Sequence, residues 1–331
     1  MLCGASYLKE GKENTEKEAG FLKELGFTDI EKENYYGVRQ TERSDKAGLY
    51  IARRKIFDGS KETELLLCVV RGTVAGEWFS NFDVGEGDEH RGFAAAAENA
   101  FGYIQSYMVR HAVPRTAKVL ITGHSRGAAV ASMLVPMLKE SGFGEDSVYA
   151  YVYACPNYTK NLVPGEKGLF GFMYEGDLVP AIPIWGFGMR GEVIDSVSFS
   201  PEEKKQLKDS FSRIAGGIKT VAFTAEERDG VVAAITKLAP DQEAFYTTVY
   251  SKSRLIKADP MTTYDFCVKM GKIMVQREVK RVLRVPDDFN GIMWAFVTDG
   301  AASPKIIQSH SIEMYYALTQ VYNARFAKAA N

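Results

Sequence analysis

The stretch from Lys118 to Val130 reads KVLITGHSRGAAV and holds the residues best suited to nucleophilic chemistry. Ser125 lies between Gly123 and Gly127 in a G-x-S-x-G pattern, with an apolar strand-like run before it and an alanine-rich, helix-like run after it. A serine hydroxyl attacks a carbonyl only when it is exposed and a base takes its proton. A sharp strand-to-helix turn exposes it. Residues two before and two after the serine then approach each other, so glycine is needed at 123 and 127. The helix that follows aims its free N–H groups and positive end at a developing oxyanion, with the backbone N–H of Arg126 as one donor. An incidental serine in a tight turn would need none of this context. The Arg126 guanidinium, poorly placed at a helix N-terminus, is expected to pair with a carboxylate, Asp83 or Asp88. His124 points away from the serine in such a turn and is expected to be structural.

Other chemistries find less support. Cys3, Cys68, Cys155 and Cys267 are widely spaced with no C-x-x-C pair, so neither a zinc site nor a disulfide framework is indicated. Cys68 and Cys155 lie in apolar runs and are expected as buried thiols. No glycine-rich phosphate loop of the G-x-x-x-x-G-K-[ST] type occurs, and no cofactor or metal is called for. With 41 basic and 42 acidic residues, no basic surplus favours nucleic acid. No apolar stretch approaches the ~20 residues that span a bilayer. Met1 to Lys9 is too short and too weakly apolar for a secretory leader, which suggests a cytoplasmic chain as written, or one whose leader was trimmed.

The elements that must position the serine are legible. Residues 8–26 read as a polar amphipathic helix closed by Gly26. Strands are expected at Leu49–Phe57 and Leu65–Arg71, joined by a turn at Asp58-Gly59, then at Lys118–Thr122 and Val148–Ala154. Helices are expected at 94–110 and from Arg126 to about Lys139. LLLCVV, apolar throughout, suits a strand covered on both faces. Such alternation predicts an α/β fold, a mostly parallel sheet with helices on both faces. Beyond residue 200 the pattern turns helical, at 201–215, 224–238, 260–284 and 305–328. Ser200-Pro201-Glu202-Glu203 is a helix start with the makings of a capping box, and Thr224 with Glu227 repeats it. One domain spanning 1–331 is expected, with a helix-rich insertion at 200–295, a possible cap, before the last core helix.

Several separated segments resemble the class 3 lipases, the group that includes fungal triacylglycerol lipases. Val70-Arg71-Gly72-Thr73, with Trp78 and Asn81 after it, resembles their oxyanion strand end. His90-Arg91-Gly92-Phe93 resembles their H-x-G-F, and Thr122 to Gly127 their T-G-H-S-x-G elbow. Ala154-Cys155-Pro156-Asn157 resembles G-x-P-x, Gly176-Asp177-Leu178-Val179-Pro180 the D-x-V-P stretch, and His310 with Tyr315 the terminal histidine block. The resemblance covers about 35–195 and 303–325. It departs at Arg126, where leucine is usual, at Cys155, where glycine is frequent, and in the long stretch between Asp177 and His310.

The resemblance implies an α/β-hydrolase and a triad in the order Ser125, Asp177, His310. Ser125 would attack, His310 would act as general base, and Asp177 would orient the imidazole. Glu175, Glu192 and Asp195 are rival acids. Among the four histidines, His90 reads as structural and His111 as a helix cap. Thr73 would supply a second oxyanion donor through its N–H and its hydroxyl. Val74–Asp83, with Trp78, Phe79 and Phe82, would form a lid, or simply pack the core. Phe245, Tyr246, Tyr250, Met293 and Trp294 could line an acyl pocket. The implied activity is carboxylic-ester hydrolysis on an acyl ester or lipid, with transient contact at a lipid interface. An acyltransferase with the same triad and a non-catalytic binding protein on the same fold are the alternatives.

Overall fold

The computed structural model describes residues 19–34, 44–57, 61–73, 77–81, 83–162, 166–177, 179–181, 187–214 and 310–329. Seven strands form one sheet in chain order: β1 (Thr28–Glu33), β2 (Leu49–Phe57), β3 (Glu62–Val70), β4 (Lys118–His124), β5 (Val148–Tyr153), β6 (Leu169–Met173) and β7 (Glu192–Asp195). β1, β2 and β3 pair antiparallel, and all pairs from β3 onward are parallel. Phe57 pairs with Glu62, so the expected hairpin forms, although its Asp58-Gly59 turn lies outside the described residues.

The α-helices that accompany the sheet include α1 (Glu77–Asn81), α2 (Arg91–Arg110), α3 (Arg126–Glu140), α4 (Pro201–Ile214) and α5 (Ile312–Ala329), and residues 19–24 are helical as well. Strand order follows chain order, so right-handed crossovers place successive helices on the same face. α2 and α3 accordingly share one face. Leu66, Cys68 and Val70 of β3, with Val119 and Ile121 of β4, pack there against Phe93, Ala96, Ile104, Val130 and Leu134. The alternate residues Leu65, Leu67, Val69 and Leu120 face the other core, closed by Phe21, Leu25, Leu207 and the α5 residues Tyr315, Leu318 and Val321. That period-two division is why LLLCVV is apolar throughout.

The four expected strands and the helices expected at 94–110, 126–139 and 201–215 occur within a few residues of their anticipated ends. The helix expected at 305–328 starts at Ile312, and the one expected at 8–26 is described only from residue 19, helical to residue 24. α2 begins earlier, at Arg91, because His90 caps it by accepting from the Phe93 N–H. Ser200 and Glu203 form the anticipated reciprocal cap, at 2.7 and 3.3 Å. Glu203 also receives the Arg325 guanidinium of α5, whose hydrogen bonds hold its carboxyl at about 2 and clasp α4 to α5. The helical patterns at 224–238 and 260–284, and residues Phe245, Tyr246, Tyr250, Met293 and Trp294, lie outside the described residues.

Candidate active site

β4 delivers its end to the middle of the sheet, paired with β3 through Val70–Gly123 and with β5 through His124–Tyr153. Ser125 follows with φ 58° and ψ −129°, a conformation rare for a residue with a side chain. Its N–H donates to the Tyr153 carbonyl at 3.0 Å, and its own carbonyl accepts from Ala128 at 2.9 Å. A Cβ on Gly123 would run into the Gly127 carbonyl, and one on Gly127 into the Val70 and Arg71 carbonyls. Both glycines are therefore steric necessities. The second also brings α3 against the end of β3, which leads into Thr73.

The structure brings Ser125, His310 and Asp177 together. His310 Nε2 lies 2.9 Å from Ser125 Oγ, and Nδ1 lies 2.9 Å from Asp177 Oδ2. A carboxylate only accepts, so Nδ1 carries the proton and Nε2 presents a lone pair to the serine hydroxyl. Asp177 follows β6 in a buried position, and its Oδ1 accepts from the Val179 N–H at 3.0 Å. Two of the rival acids are committed elsewhere, Glu175 to Lys204 and Asp195 to the Val197 N–H, and Glu192 opens β7. His111 ends α2, as expected, and meets Glu31 at 2.6 Å.

Two further groups hold this arrangement. Tyr315 donates its hydroxyl to Asp177 Oδ2 at 2.6 Å. Its burial, then the adjacent Asp177 charge, push the phenol well above its ordinary range, so it remains a donor. His124 Nε2 lies 3.0 Å from the His310 carbonyl and must donate to it. Burial, and next the neighbouring His310, keep the His124 ring neutral, its pKa well below 6.5. His124 is structural, as expected, yet it anchors the backbone of the residue facing Ser125. The sequence carried a cue for Tyr315, which sits one helical turn and more beyond His310, but none for its contact.

On the other side of the serine, Arg71 and Glu77 form a buried ion pair at 3.0 Å that fixes α1 to the end of β3. Asn81 Nδ2 donates to Thr73 Oγ1 at 2.8 Å. Arg126 departs from the sequence expectation. Instead of a carboxylate of Asp83 or Asp88, its Nη1 meets Asn81 Oδ1 at 2.9 Å and Ser80 Oγ at 3.1 Å, with the guanidinium over the Phe93 ring. Asp83 is taken by Arg91, beside it at the start of α2. The H-x-G-F stretch gains a purpose here. A Cβ on Gly92 would strike the Ser80 carbonyl, and His90 Nε2 lies 3.2 Å from the Asn81 carbonyl. The side chains of Trp78, Phe79 and Phe82 lie outside the described residues.

Cys68 and Cys155 are buried thiols outside any disulfide, with Cys68 pushed up to about 12 by burial. Among the described residues no cluster of histidines, cysteines and carboxylates could hold a metal ion, and no helix is long and apolar enough to cross a membrane.

A mostly parallel sheet carrying a strained serine elbow at the carboxyl end of its central strand defines an α/β-hydrolase. Within it, residues 56–187 match the model of the lipase (class 3) family, so the resemblance drawn from the motifs holds. A secreted mono- and diacylglycerol lipase of Fusarium solani is 31% identical over 137 residues, covering 37% of this chain. The chain spans 40% of that relative's length. Among solved structures, the native propeptide complex of Rhizomucor miehei lipase is similar at 19% identity, covering 60% of this chain and 67% of that one, with a TM-score of 0.40. Another fungal lipase is similar at 16% identity, covering 60% and 78%, with the same TM-score.

Proposed function

We propose that this chain hydrolyses carboxylic esters, as a lipase or esterase, through an acyl-enzyme on Ser125. The contact between His310 Nε2 and Ser125 Oγ, with Nδ1 on Asp177, carries this reading. His310 accepts the serine proton as Ser125 attacks the ester carbonyl, then donates it to the leaving alcohol; water repeats the sequence in reverse to release the acid. Asp177 holds the tautomer and stabilises the imidazolium. The N–H groups of Arg126 and Thr73, with the Thr73 hydroxyl, receive the oxyanion. The side chains need no metal or cofactor for these steps.

The Fusarium relative is described as acting on mono- and diacylglycerols, which makes partial acylglycerols the first natural substrates to try. We take the chain as one domain with the 200–295 section inserted in it; the clasp of α4 on α5 supports this, since it holds the start of that section against the last core helix. The test is turnover of p-nitrophenyl esters of graded length by wild type and Ser125→Ala. Serine-dependent hydrolysis, lowered by ~10⁴-fold or more in the variant, is expected; equal turnover by both would exclude the mechanism. An added acceptor alcohol that diverts most product into a new ester would instead indicate an acyltransferase.

A further inference from the structure

Arg126 is the residue at which the elbow departs most from the resembling lipases, and it is 2% exposed. A guanidinium beneath an active serine requires a reason, because burying a charge is costly unless hydrogen bonds satisfy it. Its bonds have a direction. Arginine only donates, so the Asn81 atom that Nη1 meets at 2.9 Å is the amide oxygen. The Asn81 amide nitrogen then faces Thr73, where it lies 2.8 Å from Oγ1 and must donate. The Thr73 hydroxyl is thereby an acceptor in that bond, and its own proton is left to be given elsewhere.

We propose that Arg126, through Asn81, is a positioning residue that fixes the Thr73 hydroxyl as a donor to the oxyanion. This rests on the ester-hydrolase reading and on Thr73 as part of the oxyanion site. Several contacts keep the relay in place. Ser80 Oγ, also within reach of Nη1, donates to the Gly92 carbonyl at 2.9 Å. His90 holds the Asn81 carbonyl, and Phe93 lies under the guanidinium. Without the guanidinium, the Asn81 amide is free to turn its oxygen toward Thr73 and accept the hydroxyl proton. Pointing a donor into the site before charge develops is the kind of preorganisation that lowers a barrier. The relay acts on the transition state and not on substrate binding, so it belongs in kcat and not in KM.

The test is a double-mutant cycle with p-nitrophenyl butyrate, in wild type, Thr73→Val, Arg126→Met and the pair, with Ser125→Ala as the blank. Thr73→Val is expected to lower kcat by ~10²-fold, within the range for an oxyanion donor. Arg126→Met should lower it by ~10- to 10²-fold at an unchanged KM. The double variant should fall no more than about threefold below Thr73→Val alone, because the guanidinium has nothing left to aim. Losses that multiply, or a change confined to KM, would overturn the relay and leave a purely structural arginine. Should Arg126→Met fail to fold by circular dichroism, Asn81→Ala takes its place in the same cycle with the same expectation. A Thr73→Val enzyme as fast as wild type would remove the relay while the hydrolase stands. Turnover equal to the Ser125→Ala blank in wild type would remove both.

Discussion

Acidification offers a direct measurement of what His90 contributes. The ring is 1% exposed, stacked on Phe93 at 3.8 Å, and both nitrogens are used. Nδ1 accepts from the Phe93 N–H and so caps α2, while Nε2 donates to the Asn81 carbonyl. A second proton would turn the cap acceptor into a donor facing an N–H. Burial is the chief cause that lowers its pKa from 6.5 to about 4, with the Arg126 charge adding to it against the opposing pull of Asp83. The unfolded chain therefore binds the proton first. Stability from this group is complete above pH ~6.5 and is lost as pH falls toward ~4. The gap of about 2.5 units corresponds to about 3 kcal/mol in total, of which about 2 kcal/mol is gone by pH 5. Urea unfolding of wild type and His90→Asn at pH 8 and pH 5 isolates this term, since other titrating groups are common to both. The wild-type advantage at pH 8 is expected to shrink by about 2 kcal/mol at pH 5. An advantage that stays the same at both values would refute the assignment of a neutral, capping His90.

Two further substitutions probe the site from opposite sides. Tyr315→Phe keeps the buried ring but removes one of three donors to the Asp177 carboxyl. It should cost about 1.5–3 kcal/mol in thermal or urea unfolding, the range for a hydrogen bond to a charged group. Ester turnover should fall by ~10-fold, far short of the ~10⁴-fold seen when the acid itself is neutralised. Gly127→Ala drives a methyl into the carbonyls of Val70 and Arg71 and should abolish most turnover by prising α3 from the end of β3. Gly102→Ala in α2, where a methyl meets nothing within 4 Å, serves as control and should stabilise by about 0.5–1 kcal/mol in the same melts.

The elbow was legible because its constraints are local. Steric contact between positions two apart from the serine, a strand before and a helix after are all written within a dozen residues. The core strands were legible through apolar density. β1 was not, because TDIEKE is a charged edge strand held by pairing with β2, and neither alternation nor hydrophobicity marks it. β6 and β7 are short, and Gly171 interrupts the apolar run of the first of them; the end of the Met189 side chain occupies the space beside it. The early start of α2 was hidden for a related reason. Arg91 and Gly92 are poor helix openers, and only contact with Ser80 explains the glycine. The partner of Arg126 was sought among carboxylates because charge pairs with charge in a sequence argument. In the fold, an amide and a hydroxyl 45 and 46 residues away receive its Nη1, and the Lys46 carbonyl meets its Nη2 at 3.5 Å; no local rule connects them.

What those distant contacts share is polarity. Three chains of hydrogen bonds reach the site, and at the outer end of each stands a side chain that donates inward. Arg126 donates to Asn81, which thereby donates to Thr73. Tyr315, held protonated by burial, donates to Asp177 Oδ2, which also accepts from His310 Nδ1. His124, neutral in its buried place, donates to the carbonyl of His310. The Arg126 chain passes over Phe93 on the α2–α3 face, and the Tyr315 chain arises in the core under α5. The two converge at the carboxyl ends of β3, β4 and β6. The first leaves Thr73 with a proton to give, and the second leaves His310 Nε2 with a lone pair to offer Ser125. A tetrahedral oxyanion with a serine to deprotonate needs a donor on one side and an acceptor on the other. On the proposed mechanism, both polarities follow from side chains placed behind the reacting groups, the Arg126 guanidinium on one side and the Tyr315 phenol on the other.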